Sequence, residues 1–186
     1  MANIIDRAFQ KIDKVMEETA NNAVRAYNWT TGRTKRDLAN NMQVLAVIPE
    51  SAGSFLDGKS YSLAMLPWSL FTTALFCKRN DEQNELEERA KNKMTLDGYV
   101  DKVIKPENKA GSYAYGAFSL LIGGTCPISG ILYQSLGCSL GFGLRSASFY
   151  VMNADDLPPR KNCIQRGIES IIETYKSAAA QPSLSF

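Results

Sequence analysis

The chain contains no histidine. That absence removes imidazole general bases, histidine metal ligands and the Ser-His and Cys-His nucleophile pairs. Cysteine is sparse, at Cys77, Cys126, Cys138 and Cys163, and no two are spaced as CxxC. A zinc site without histidine would need all four thiolates or carboxylate help, so the cysteines read as buried reduced thiols acting as small hydrophobes. A disulfide framework is not expected in a chain of this size with scattered cysteines. Net charge is low as well, with 21 Lys/Arg against 19 Asp/Glu. That balance gives no concentrated basic field for nucleic acid. The N-terminal segment has no signal-peptide character, because Asp6, Arg7, Lys11, Asp13 and Lys14 interrupt any apolar h-region. No period-2 alternation long enough for a sheet occurs, and there is no internal repeat.

What is present is a strong segregation of charge. Ala110 to Leu144 is a run of 35 residues with no charge, and Ser60 to Cys77 is a second of 18. Residues 1–59, 78–109 and 154–186 hold every charged side chain except Arg145. With an apolar content of 45%, the chain folds and is not disordered. Mean hydropathy is only −0.21, because Ser, Thr, Gly and Tyr dilute both uncharged runs.

The charged segments carry helical periodicity. Ile5, Phe9, Ile12, Met16, Thr19 and Ala23 form one stripe over 3–27. Thr34 and Asp37 form a capping box opening a second helix that Pro49 is expected to stop. Residues 81–94 form a polar helix, and Thr95 to Ile104 a short one ended by Pro106. Ile164, Ile168, Ile171, Ile172 and Tyr175 make an apolar face over 162–180, after the Pro158-Pro159 hinge.

The long uncharged run is about twice the roughly 20 residues of a spanning helix. Gly123, Gly124, Pro127 and Gly130 loosen its middle, which predicts two arms, 110–126 and 128–144, joined by a bend. This bend puts Arg145 at the end of the second arm, where it snorkels at a membrane interface. A turn at Tyr133–Ser135 would instead leave Arg145 inside a helix, at about 2.5–3.5 kcal/mol on insertion scales. The arms carry small residues at helical spacing: Ser112, Gly116, Ser119 and Gly123 on one, Ser135, Ser139, Gly143 and Ala147 with the Gly137/Gly141 pair on the other. Such ladders let helices approach closely in lipid. Pro67 predicts a broken helix in the 60–77 run. A one-sided arrangement leaves all charged segments together, with Trp68, Tyr61, Tyr113 and Tyr115 as interfacial anchors.

Other chemistry is thin. The GGTCPISG stretch lacks a GK[ST] ending, so no cation awaits a phosphate. The pairs Glu17-Glu18, Glu87-Glu88 and Asp155-Asp156 read as solvated faces. Asn28-Trp29-Thr30 matches a glycosylation sequon by accident, and Arg33, Lys35 and Arg36 form a small basic cluster for anionic headgroups.

The sequence thus predicts an all-α protein in which amphipathic helices flank a Gly-rich, membrane-embedded hairpin. Five regions are expected: 1–59, an apolar segment 60–77, a charged linker 78–109, the hairpin 110–153, and a C-terminal helix and tail 154–186. The hairpin packs through Gly116, Gly123, Gly124, Pro127, Gly137, Gly141 and Gly143, with Arg145 at its lip. Ile5, Phe9, Ile12 and Met16, and Ile164, Ile168, Ile171 and Ile172, form interaction faces. The expected role is a non-enzymatic scaffold, anchor or accessory subunit at a membrane. Its partners are the bilayer and copies of itself or other proteins, with no nucleic acid, cofactor or metal. The alternatives are a soluble, cytoplasmic all-α oligomerisation module, or a cysteine enzyme or small-molecule binder around Cys126.

Overall fold

The protein is described by a computed structural model covering residues 2–56, 65–91, 100–125 and 132–179. Among them all regular structure is helical. The order is α1 (Ala2–Thr31), α2 (Lys35–Leu56), α3 (Met65–Lys91), a short π-helical stretch (Val100–Ile104), α4 (Lys105–Thr125), α5 (Leu132–Asn153) and α6 (Cys163–Ala179). No helix among the described residues is long and apolar enough to cross a membrane.

Helix ends follow local chemistry. Helix α1 runs past Asn28 and stops at Gly32, whose φ of 76° is the left-handed cap that glycine adopts without a Cβ penalty. Its N–H donates to the Asn28 carbonyl at 2.9 Å. The capping box of α2 forms: the Thr34 N–H donates to Asp37 Oδ2 at 3.0 Å, and the Asp37 N–H to Thr34 Oγ1 at 3.5 Å. A second box opens α6, where Asn162 and Gln165 exchange bonds of 3.1 and 2.8 Å.

Of the three prolines expected to break helices, Pro67 and Pro49 do not, while the π-helical stretch before Pro106 ends at Ile104 as expected. Pro67 is the third residue of α3, and Pro106 is the second of α4. In a first turn the missing N–H has no intrahelical acceptor to lose. Apolar 65–77 and charged 78–91 are therefore one helix. Pro49 lies inside α2, which continues to Leu56. There tertiary packing outweighs the lost hydrogen bond, because Pro49 and the turn that follows it lie directly against the backbone of α5.

Helices α2 to α5 alternate in direction. Glu50 on α2 meets Arg145 on α5, and Gln43 meets Ser148. On α4, Ser119 meets Ser139 and Ser112 meets Ser146. Helix α5 therefore lies between α2 and α4, with α3 against α2. The apolar core sits at the charged end, where Phe76 meets Phe149 edge-on at 5.0 Å and Ala20 and Val24 of α1 join Val151 and Met152.

Two different small-residue faces of α5 serve its two neighbours. Gly137 and Gly141 face α2, not the other arm of the hairpin. A Cβ at Gly137 would lie 2.1 Å from the Pro49 carbonyl oxygen, and one at Gly141 2.2 Å from Glu50 Cγ. The hairpin arms instead meet through serines: Ser119 Oγ donates to the Ser139 carbonyl at 2.7 Å and Ser139 Oγ to the Ser119 carbonyl at 2.9 Å. Gly143 belongs to this second face and is loosely seated, since a Cβ there would be 3.6 Å from Ser119 Oγ. Gly116 is tighter, at 3.3 Å from Ser146 Oγ. Gly123 and Gly124 fall in the last turn of α4, and Pro127 lies outside the described residues. Gly137→Ala should therefore lower the unfolding midpoint sharply. Gly143→Ala should leave it unchanged or raise it, because alanine favours the helix by up to about 1 kcal/mol. Parallel denaturant unfolding of the two variants checks the contrast.

Candidate functional site

Among the described residues the largest fully buried side chain is Arg145, in the interior of α5. The expectation that it ends an arm at a membrane lip is corrected: α5 extends eight residues beyond it, to Asn153. Arg145 faces α2 and α3, because Gly141 one turn earlier leaves room for Glu50. Arg145 and Glu50 are each 1% exposed at the side chain. The guanidinium grips the carboxylate side-on, Nε to Oε1 at 2.7 Å and Nη2 to Oε2 at 2.9 Å. This bidentate geometry is the strongest that the two groups form.

The remaining donors of Arg145 are satisfied by neutral groups. Nη1 donates to Gln43 Oε1 at 2.6 Å and to Thr73 Oγ1 at 3.1 Å. Nη2 also donates to Ser69 Oγ at 2.8 Å and to the Ser69 carbonyl at 3.1 Å. The Ser69 hydroxyl in turn donates to Glu50 Oε2. Gln43 Nε2 donates to Ser148 Oγ at 2.7 Å, and that hydroxyl donates to the Arg145 carbonyl at 2.7 Å. Every contributor comes from an i, i+3, i+4 or i+7 position: Gln43 and Glu50 on α2, Ser69 and Thr73 on α3, Arg145 and Ser148 on α5. The network closes on itself. Its chemistry is structural, fixing the register of three helices.

Outside this interior the polarity inverts. Val44, Leu45, Ile48, Phe55 and Leu56 on α2 are exposed. So are Trp68, Leu70, Phe71 and Leu75 on α3, Phe118, Leu120 and Leu121 on α4, and Tyr133, Leu136 and Leu140 on α5. Leu120 is 79% exposed. The alternating helix directions bring these segments to one end of the bundle, so they form a belt around it. Scattered exposed leucines are ordinary, but a contiguous belt of this extent over a charged interior is not.

The other predicted residues are distributed as follows. On α1 the stripe divides. Met16 packs against the core, but Ala20 and Val24 are the buried residues beyond it, whereas Thr19 and Ala23 are exposed. Phe9 and Ile12 are also exposed, and the side chain of Ile5 lies outside the described residues. The rotation is set by charge: Lys109 Nζ on α4 binds Asp13 at 2.9 Å and Glu17 at 2.7 Å, and Tyr150 donates to Asp13 at 2.9 Å. Ile164, Ile168, Ile171 and Ile172 on α6 are all exposed.

Two of the three residues of the basic cluster, Lys35 and Arg36, are turned inward, whereas Arg33 is exposed. Lys35 Nζ donates to the Ala154 carbonyl at 2.6 Å, and Arg36 pairs with Glu87 at 2.6 Å. Asn28 of the sequon is buried, donating to the Arg33 and Pro158 carbonyls. Trp68 and Tyr113 are exposed, Tyr115 stacks on Phe149 at 5.8 Å, and Tyr61 and Cys126 lie outside the described residues. Among the described residues no three His, Cys, Asp or Glu side chains form a metal-sized group. Comparison with protein-family models, curated proteins and solved structures finds no match to this chain.

Two outcomes follow from the charges. Arg145→Met strands a buried carboxylate and should cost about 3–5 kcal/mol, whereas Arg145→Met combined with Glu50→Leu should recover most of the loss. Unfolding of single and double variants measures both. At Asp13, burial pushes the carboxyl up, but hydrogen bonds from Lys109, Tyr150 and Tyr113 and the Lys109 charge outweigh it and hold it below its ordinary 3.8. A depressed carboxylate stabilises the fold above that ordinary value and loses its contribution as pH falls through the lower folded one. Asp13→Asn should therefore cost about 1.5–3 kcal/mol at neutral pH. The gap between parent and variant should shrink as pH falls below 3.8, read by unfolding at a series of pH values.

Proposed function

We propose that this protein is a non-enzymatic, membrane-associated scaffold or anchor whose apolar belt enters a bilayer from one side. The observation that supports this most is the inverted polarity, with a bidentate ion pair inside and a belt of Leu, Ile, Phe and Trp outside. In water a bundle hides its apolar side chains. In lipid it faces them outward and pairs its ionisable groups within.

The height of the belt sets the depth of entry. From Val44 to Leu56, at 1.5 Å per residue, the belt on α2 rises about 20 Å. That is less than the roughly 30 Å of a hydrocarbon core. Insertion from one side therefore fits the belt better than a crossing, and it fits the lack of any helix long and apolar enough to span among the described residues. The charged ends of α2, α3 and α4 stay together in water. The role that suits this arrangement is to hold a folded platform at a surface and to present α1 and α6 there.

The test is retention of the full chain in the membrane pellet after an alkaline wash. The parent should stay in the pellet. Ile48→Gln with Phe71→Gln, on two helices of the belt, should move most of it to the supernatant, since each apolar side chain contributes about 1.5–3 kcal/mol when buried. A parent that washes off completely and is monodisperse without detergent would replace this reading with that of a soluble oligomerisation module.

A further inference from the structure

We infer that α1 lies in the headgroup layer of the bilayer that the belt enters, with its uncharged face turned toward the acyl chains. This deepens the membrane reading and rests on it, because it fixes where the belt stops. The first support is height. Helices α2 to α5 run along the bundle, but α1 crosses it. Asp13 binds Lys109 on α4 and Tyr150 on α5, Ala20 and Val24 pack with Val151 and Met152, and Tyr27 accepts from Asn41 on α2 at 2.9 Å. The bonds from Gln43 to Ser148 and between Ser112 and Ser146 bring Asn41, Lys109 and Tyr150 to one level across three helices. That level is the foot of the belt. On α4 the uncharged run begins just after Lys109. On α3 the charges begin at Lys78, beside Asn80, which donates to Asn40 of α2 at 2.7 Å. Tyr113, 49% exposed and hydrogen-bonded to Asp13, stands at the same level, where a tyrosine ring suits the headgroup layer.

The second support is rotation. One side of α1 is turned to the charged end of the bundle. There Glu17 binds Lys109, Asn21 accepts from the Asp155 N–H at 2.8 Å, and Arg25 pairs with Asp155 at 3.3 Å. At about 3.6 residues per turn, the opposite side carries Phe9, Ile12, Val15, Thr19, Ala23 and Ala26. All six are exposed and uncharged, and they are turned to the belt. Every charged residue of α1 falls on the other half, including Lys11, Lys14 and Glu18. One plane therefore divides both the bundle and α1 into an uncharged and a charged half, which is the arrangement of an interfacial helix. The third support is reach. Ahead of Asp13 the helix projects past α4 by about 16 Å, and residues 6–12 are all exposed. A bilayer that takes the belt to its foot meets this arm without any change in the protein. A protein partner seated there would have to share the edge with lipid.

The test uses the full chain with its native cysteines replaced by alanine, its circular dichroism matched to the parent's. A fluorophore is attached through Ile12→Cys or Lys14→Cys, on opposite faces of α1, or through Phe71→Cys in the belt. Each protein is added to phosphatidylcholine vesicles whose acyl chains are brominated, and so quench, either near the headgroup or near the chain end. The label at position 12 should be quenched severalfold more by the shallow bromines than by the deep ones, and severalfold more than the label at position 14. Adding Phe9→Asp and Val15→Asp should remove most of that quenching, with circular dichroism and the quenching at position 71 unchanged. Equal quenching at positions 12 and 14 overturns the inference, as does quenching at position 12 that comes mainly from deep bromines or survives the aspartates. Energy transfer between position-12 labels of two copies, without quenching by lipid, overturns it in favour of self-association. An unquenched label at position 71 with shallow quenching at position 12 removes the inserted belt and leaves α1 at the surface. A quenched label at position 71 with none at position 12 removes the α1 contact and leaves the belt.

Discussion

The bidentate pair between Arg145 and Glu50 is the contact on which the rest of the bundle is arranged. An unpaired guanidinium at this depth would cost several kcal/mol, and so would the carboxylate alone. Each makes the other tolerable only if α2 and α5 cross closely. That crossing requires Gly137 over the Pro49 carbonyl and Gly141 over the Glu50 stem, where any Cβ would collide. Ser69 and Thr73 then draw α3 into the same network. Three helices are locked in register by groups that hydrophobic packing alone would not specify. Such a network does not maximise stability, since apolar isosteres often serve as well, but it selects one alignment among many similar ones.

Filling the interior with polar groups displaces the apolar side chains outward. The uncharged runs are rich in Leu and Phe, yet α2, α3 and α5 have spent their inward faces on Gln43, Glu50, Ser69, Thr73 and Arg145. The belt is the consequence. At the opposite end the polarity is ordinary: Phe76, Phe149 and Met152 are buried, and Arg25, Arg79 and Lys109 form ion pairs toward the surface. The chain therefore has two ends with opposite polarity rules, one suited to water and one to an apolar surrounding. Helix α1 is held to the water-suited end by Asp13 and Glu17, which leaves Phe9 and Ile12 free.

Much of this was legible in the sequence. Helical periodicity and charge segregation are local properties, so the all-α class, the α2 capping box and the limits of α6 follow from them. The small-residue ladders marked positions of close approach, though not which neighbour each face meets. That depends on the crossing of α2 over α5, which is encoded in no single segment. Pro67 misled because a proline breaks a helix in its interior and not in its first turn, and Pro49 because packing around it overrides the local cost. Arg145 misled for a related reason. A lone cation in a long uncharged stretch reads locally as a mark of the water boundary, although Glu50, isolated between Asp37 and Asp57 on an otherwise uncharged stretch, is its natural partner. Pairing the two isolated charges would have located the network.

The central claim is that the belt faces an apolar medium while the Arg145–Glu50 network faces neither lipid nor water. Spin labels at Leu45, Phe71, Leu120 and Leu140 in vesicles measure this through relaxation by oxygen, which concentrates in hydrocarbon, and by a water-soluble nickel complex. The account predicts strong oxygen and weak nickel relaxation at all four, and the reverse at Lys14 and Glu82. Nickel relaxation at the belt positions as strong as that at Lys14 and Glu82 would contradict it.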